Sequence, residues 1–69
     1  MYRIDIHSIE TGLRVDHATA SSDSTHNQRS DIAERMIRTY YAGCIEDYYV
    51  VEYEIQEDGS AVLLNKYRV

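Results

Sequence analysis

Residues 25–43 read THNQRSDIAERMIRTYYAG, and this stretch decides the fold. Its apolar residues recur at a period that places them on one stripe of an α-helix. The residues of this stripe are Ile32, Ala33, Met36, Ile37, Tyr40 and Tyr41. Thr25 and Gln28 have the spacing of a capping box, which predicts the helix start. Gly43 can adopt the left-handed conformation that ends a helix, so the sequence predicts a single helix here.

Four segments around this helix have the composition of β-strands. Residues 2–9 alternate between apolar and polar, and residues 13–20 resume after a turn, which predicts an antiparallel hairpin. Residues 48–56, YYVVEYEIQ, are rich in β-branched and aromatic residues. The Asp58-Gly59 pair is a favoured hairpin turn, and it precedes a last strand at 61–69. The predicted order is β-β-α-β-β, an α+β fold with a four-stranded antiparallel sheet and the helix on one face.

The register of the first hairpin depends on the length of its loop. A two-residue turn at Thr11-Gly12 and a three-residue loop place different residues opposite one another. We favour the three-residue loop, because it sets Glu10 across from Arg14 and Ile6 across from Ala18. The predicted core then has Ile32, Met36, Ile37 and Tyr40 of the helix covering the strand residues Ile4, Ile6, Val51, Ile55 and Leu63.

The composition limits the classes of partner. The chain has 69 residues, enough for one domain with one small core. Seven basic and twelve acidic residues give a net charge of −5, which argues against non-specific binding to nucleic acid or to anionic lipid. A single cysteine indicates a reducing compartment, so we expect a cytoplasmic protein. No apolar run approaches the length that spans a membrane, so no membrane association is expected.

The acids are concentrated in the second hairpin. Six of them lie between positions 44 and 60 without a Lys or Arg among them, namely Glu46, Asp47, Glu52, Glu54, Glu57 and Asp58. Glu52 and Glu54 share a strand face about 7 Å apart, comparable to the spacing of phosphates along a nucleic-acid strand. This pattern is compatible with charge mimicry. The more common interpretation is a solvated strand whose charges prevent edge-to-edge pairing.

The remaining reactive side chains do not form a catalytic pattern. With the three-residue loop, His7 and His17 face each other near Asp5 and Asp16, a set that could hold a metal. Two histidines on a hairpin surface are ordinary, however, so we predict neither metal nor cofactor. Cys44 precedes Glu46 and Asp47, whose charges disfavour a thiolate, which indicates a small buried hydrophobe. We therefore expect no catalytic residues and no enzyme activity.

Charge, size and surface suggest a binding protein. The first hypothesis is a non-enzymatic protein-binding module that binds a basic surface of a nucleic-acid-handling protein. There it either blocks the surface or mimics the charge of nucleic acid. Its predicted site is Glu52, Glu54, Glu57 and Asp58, with Tyr48 and Tyr53 as anchors. In size, acidity and general layout the chain resembles small inhibitor proteins of phages and mobile elements, an analogy of shape alone. The alternatives are a structural or regulatory homodimer, and a small nucleic-acid-binding domain that uses the helix arginines Arg29, Arg35 and Arg38.

Overall fold

The computed structural model describes residues 1–41 and 45–69, and it confirms the predicted fold. The elements follow one another in the order β-β-α-β-β, with a single 3₁₀ turn before the third strand. Their bounds are β1 (Tyr2–Ser8), β2 (Arg14–Ala20), α1 (His26–Tyr40), the 3₁₀ turn (Ile45–Asp47), β3 (Tyr48–Ile55) and β4 (Ala61–Tyr67). The predicted helix end at Gly43 and the predicted burial of Cys44 lie outside the described residues.

Helix α1 begins at the predicted capping box. The Thr25 hydroxyl accepts from the backbone N–H of Gln28 at 3.2 Å, and the Gln28 side chain accepts from the Thr25 N–H at 2.9 Å. Two backbone donors that the first turn would leave without partners are satisfied in this way, which confirms the prediction. Across residues 1–41 and 45–69, no helix is long and apolar enough to cross a membrane.

All strand pairs of the sheet are antiparallel, and the strands lie in the order β2-β1-β3-β4. The register of the first hairpin differs from the predicted one, because Ile6 lies opposite Asp16 instead of Ala18. The hairpin closes at Ser8, whose N–H donates to the Leu13 carbonyl at 3.0 Å. The loop is therefore longer than predicted, and Gly12 adopts the positive φ of 73° that the tight return requires.

The core lies between α1 and the two central strands. Five of the described apolar residues are fully buried there, namely Ile4, Ile6, Ala33, Ile37 and Val50. Ile32 and Met36 are partly buried and pack against this cluster, as predicted. Tyr40 was predicted to cover the sheet, but it is 70% exposed: it is the last residue of α1, and the buried residues of the helix are Arg29, Ala33 and Ile37.

The face of β3 that meets the helix is the opposite of the predicted one. Val50 lies directly across from Ile6, so the even-numbered residues of β3 point toward α1. The predicted core residues Val51 and Ile55 therefore belong to the other side of the sheet. Leu63 lies opposite Tyr53 on that same side and is 60% exposed. The error arose because both faces of this strand carry apolar residues, so the alternation alone does not fix its orientation.

Candidate binding surface

Glu52, the first residue of the predicted acidic site, lies in the interior. It is directly opposite Ile4 on the helix-facing side of β3, and no part of it is exposed. The expectation that Glu52 belongs to a solvated strand face is therefore wrong. A carboxylate in this position requires a compensating partner, because removing an isolated charge from water is very costly.

Arg29 of α1 supplies that partner. Its Nε donates to Glu52 Oε1 at 2.5 Å, while His26 Nδ1 lies 3.0 Å from Glu52 Oε2. A second guanidinium nitrogen donates to the Ser24 carbonyl at 2.6 Å, and the guanidinium carbon lies 4.0 Å from the centre of the Tyr2 ring. The guanidinium therefore joins the start of the helix to the centre of the sheet through charge-assisted hydrogen bonds.

The ion pair determines how Glu52 titrates. Burial by itself would raise the pKa of the Glu52 carboxyl, but the hydrogen bond from Arg29 and further contacts with Tyr67 and His26 hold this pKa below its ordinary value. The same surroundings act on Tyr67 in the opposite direction. Burial, reinforced by the Glu52 charge, raises the pKa of the Tyr67 phenol. Glu52 is thus kept ionised and Tyr67 neutral.

We expect Glu52 to contribute to the pH dependence of stability on the acid side. Because its pKa is lower in the folded chain, its contribution is fully present above the ordinary pKa of a glutamate. The contribution is lost as the pH falls through the folded pKa. A carboxyl ¹³C NMR titration of the folded protein should give Glu52 a midpoint below the usual glutamate value of about 4.3. A midpoint above that value would contradict the arrangement described for Arg29.

The other acidic residues of the predicted site lie at one end of the sheet. Glu54 is half-exposed on the helix-facing side and accepts from the Gln56 side chain at 2.9 Å. Glu57 and Asp58 are exposed in the turn between β3 and β4. Asp58 accepts from the Ser60 hydroxyl at 2.7 Å and from its N–H at 2.9 Å, contacts that hold the turn and lower the pKa of the Asp58 carboxyl.

The two predicted anchors are not beside these acids on a single surface. Tyr48 lies at the start of β3, where its ring centre is 5.0 Å from that of Tyr41 at the end of the helix. Tyr53 lies on the side of the sheet that faces away from α1, opposite Arg3. The structure therefore places Glu54, Glu57 and Asp58 near one another at one end of the sheet. Tyr48 and Tyr53 lie on opposite sides of the sheet.

The helix arginines that were considered for nucleic-acid binding have acidic neighbours. Arg35 lies 2.7 Å from Asp31, and Arg38 lies 3.8 Å from Glu34, each at the i,i+4 spacing of one helix face. Arg29 is buried against Glu52. These pairs leave little net positive charge along α1 for an anionic partner.

The histidine pair that was considered as a metal site does not form. His17 lies opposite Asp5, and His7 lies opposite Arg14 and Tyr49, because the register differs from the predicted one. Within the described ranges 1–41 and 45–69, no group of three metal-binding side chains lies close enough to hold an ion.

The side of the sheet that α1 leaves uncovered has a different composition, and we call it the open face. Cross-strand partners in the observed register share a face, and β1 places every second residue on this side. The open face consists of Arg3, Asp5, His7, Arg14, His17, Thr19, Tyr49, Val51, Tyr53, Ile55, Ala61, Leu63 and Lys66. Aromatic and basic side chains are thus gathered on the two central strands and their neighbours.

Each tyrosine of the open face has a cation over its ring. The guanidinium carbon of Arg3 lies 4.7 Å from the centre of Tyr53, and Lys66 Nζ lies 4.9 Å from the centre of Tyr49. The His7 ring stacks on Tyr49, with the ring centres 5.1 Å apart and the planes 18° from parallel. Such contacts orient the rings and hold positive charge close to them.

The charge of the open face is opposite to that of the whole chain. Asp5 is the one carboxylate among its residues, and only 3% of Asp5 is exposed. Its oxygens lie 3.0 Å from Arg3 and 3.8 Å from Arg14. With Lys66 as the third cation, this face has a formal charge of +2 within a chain of −5. The acids that determine the total therefore lie outside the open face.

Sequence reasoning gave the tyrosines of the sheet an acidic rim and missed the basic residues beside them, although part of the signal was visible. The alternation of residues 2–7 does place Arg3 on the same side as His7, and Tyr49 shares a face with Tyr53 in the same way. What the sequence did not reveal is that the strand with Arg3 and His7 lies next to the strand with Tyr49 and Tyr53, and that Lys66 lies on the same face.

Comparisons with known proteins found no matching family model, no matching curated protein and no matching solved structure.

Proposed function

We propose that this protein is a small non-enzymatic binding module that binds single-stranded nucleic acid on the open face of its sheet. The observation that carries the proposal is the pair Tyr49 and Tyr53 on a central strand, each beside a cation, on the face that α1 leaves uncovered. The proposal keeps the nucleic-acid alternative but moves it from the helix arginines to the sheet.

The chemistry of these side chains suits unpaired bases. Bases of single strands stack on aromatic rings and on guanidinium planes, while nearby cations attract the phosphates. Tyr49 and Tyr53 are four residues apart in one strand, which corresponds to about 13 Å. They would therefore contact two bases that are not immediate neighbours, with Val51 and its cross-strand partner Asp5 between them. Duplex bases are stacked on one another and cannot offer their faces in this way.

The magnitudes favour stacking over charge as the main source of affinity. Each stacked base contributes about 1–3 kcal/mol, so two tyrosines can supply several kcal/mol. For single strands, each neutralised phosphate contributes roughly 0.7 to the slope of log K against log salt concentration. Three cations therefore give a slope of at most about two in magnitude. The net charge of −5 also weakens long-range attraction of polyanions. We therefore expect moderate affinity and weak binding to duplexes.

A titration with a ten-nucleotide oligothymidylate tests the proposal. In ¹H–¹⁵N NMR spectra, the amides of Arg3, His7, Tyr49 and Tyr53 should shift as the oligonucleotide is added. Substitution Tyr53→Leu should raise the dissociation constant about 5- to 100-fold, which corresponds to the loss of one stacked base. Tyr40→Leu is the matched control, because Tyr40 is 70% exposed and lies on α1.

Two results would overturn the nucleic-acid proposal. One is the absence of any shift at low ionic strength, where attraction between phosphates and cations is strongest. The other is a pattern of shifts confined to α1, with Tyr40→Leu weakening binding as much as Tyr53→Leu.

The acidic protein-binding module stays a second candidate. The exposed carboxylates of Glu57 and Asp58, with the half-exposed Glu54, favour a partner with a basic surface at this end of the sheet. Such a partner would leave the open face in solvent, so the NMR shifts it causes would fall around the turn at 56–60 instead of on Tyr49. With either partner, the single cysteine supports the proposal that the module acts in the cytoplasm.

A further inference from the structure

We infer that one end of the open face holds a site for a nucleoside monophosphate unit, either a free nucleotide or the phosphorylated end of a single strand. The inference rests on the proposed function, since it assigns a ligand to part of the same surface. The site is a pocket of about 510 Å³ between the β1–β2 loop and the end of β4. It is lined by Ile9, Gly12, Tyr49, Lys66, Tyr67 and Arg68.

Two cations face this pocket, and no carboxylate is among its lining residues. Lys66 Nζ is held over the Tyr49 ring at 4.9 Å. Arg68 donates from one terminal nitrogen to the Glu46 carbonyl at 2.8 Å, which fixes the guanidinium at the rim. That bond uses one of five N–H donors, so the same group can also bind a phosphate oxygen. An ammonium and a guanidinium on one pocket are suited to an oxyanion.

An aromatic wall supplies the place for a base. Tyr49 is supported from beneath by the stacked His7 ring. His7 in turn is held by the contact of its Nδ1 with the Gly12 carbonyl at 3.1 Å, and Gly12 itself lines the pocket. The other ring nitrogen, Nε2, is buried without a hydrogen-bond partner among the described residues. The Tyr49 ring is thus fixed before the ligand arrives, and a base stacks on it by displacing the Lys66 ammonium toward the phosphate.

The neighbouring pocket marks where an anion is excluded. It has a volume of about 310 Å³ and is lined in part by Glu10, Glu46 and Asp47. Ile9 lines both pockets, so the basic and the acidic pocket are adjacent. Like charges repel, so a phosphate near this edge of the sheet is directed to the pocket with Lys66 and Arg68. The volume of the pocket with Lys66 and Arg68, about 510 Å³, is also within the usual range for a small-molecule site, about 300–1,000 Å³.

NMR titrations with AMP, adenosine and inorganic phosphate test the site without an oligonucleotide. AMP should shift the amides of Ile9, Gly12, Tyr49 and Lys66. Adenosine and phosphate should each bind about ten-fold more weakly, because each lacks one half of the ligand. The double substitution Lys66→Gln with Arg68→Gln should weaken AMP binding about ten-fold. Arg35→Gln on α1 is the charge-matched control and should leave AMP binding unchanged.

A second pair of ligands separates this inference from the proposed function. A 5′-phosphorylated oligothymidylate should bind about five- to ten-fold more tightly than the same strand without the phosphate. If both oligothymidylates bind equally well by contacting Tyr53, and AMP leaves the Gly12 amide unshifted, the pocket inference is wrong while the proposed function stands. If AMP binds as expected but no strand does, the inference stands and the proposed function fails. If phosphate alone binds as well as AMP, the assignment of a base to Tyr49 is wrong.

Discussion

Substitution Glu52→Gln is expected to lower the free energy of unfolding by about 3–5 kcal/mol, because it leaves Arg29 as a buried charge without its partner. A chain of 69 residues has a total stability of roughly 3–10 kcal/mol, at 0.05–0.15 kcal/mol per residue. This one change, from a carboxylate to an amide of the same shape, should therefore remove a large part of the stability. Urea unfolding followed by circular dichroism measures the difference.

Glu54→Gln is the matched control for this prediction. Glu54 lies two residues further along the same strand and is half-exposed, so its substitution should change stability by less than about 1 kcal/mol. The double variant Arg29→Met with Glu52→Leu should recover most of the loss, since replacing both members of a buried pair by apolar residues is often neutral. Equal effects of Glu52→Gln and Glu54→Gln would show that Glu52 is not in the interior.

Ile37→Ala is expected to lower the free energy of unfolding by about 2–5 kcal/mol. The Ile37 side chain is fully buried between α1 and the central strands, and the described core offers few other side chains that could fill the cavity. The same unfolding measurement applies. Tyr40→Ala, in the last turn of the same helix, should stay within about 0.5 kcal/mol, because Tyr40 is 70% exposed. A reversed order of these two effects would contradict the rotation of the helix on the sheet.

The helix and the order of elements along the chain could be predicted because each depends on local signals. Thr25 and Gln28 define the helix start by their spacing alone, and the alternation of residues 2–7 identifies β1 without knowledge of its neighbours. Both signals act within a few residues of the chain. The fold class followed from them directly.

The location of Glu52 could not be predicted, because it depends on which face of β3 meets the helix. Tyr49 and Val51 on one side compete with Tyr48 and Val50 on the other, and both sets are apolar. The choice is made by pairing with Ile6, a contact that is distant in sequence. Glu52 and Glu54 both lie on the Val50 side, so that side was taken for the solvated one. Arg29, 23 positions away, gives no local sign that it will be buried.

The basic character of the open face was missed for a related reason. Arg3, Tyr53 and Lys66 come from three strands, and only the order β2-β1-β3-β4 makes them neighbours. The net charge of −5 was used to argue against nucleic acid, but a total charge does not describe how charge is distributed over a surface.

The homodimer alternative stays a prediction. Strand β4 is an edge of the sheet, and three consecutive apolar residues on it are exposed, namely Val62, Leu63 and Leu64. An edge of this kind can pair with a second copy.

The adjacency of β1 and β3 also affects the order in which the chain can fold. The first hairpin and α1 are complete by residue 41, yet on their own they lack Val50 from the core and leave Arg29 without Glu52. A nascent chain of that length has secondary structure available but too little buried surface to stabilise it. The strand that completes the core must return from positions 48–55 to pair with positions 2–8, a non-local step that slows folding relative to a helical bundle of equal size. Folding should therefore be a single cooperative event that waits until β3 has been synthesised.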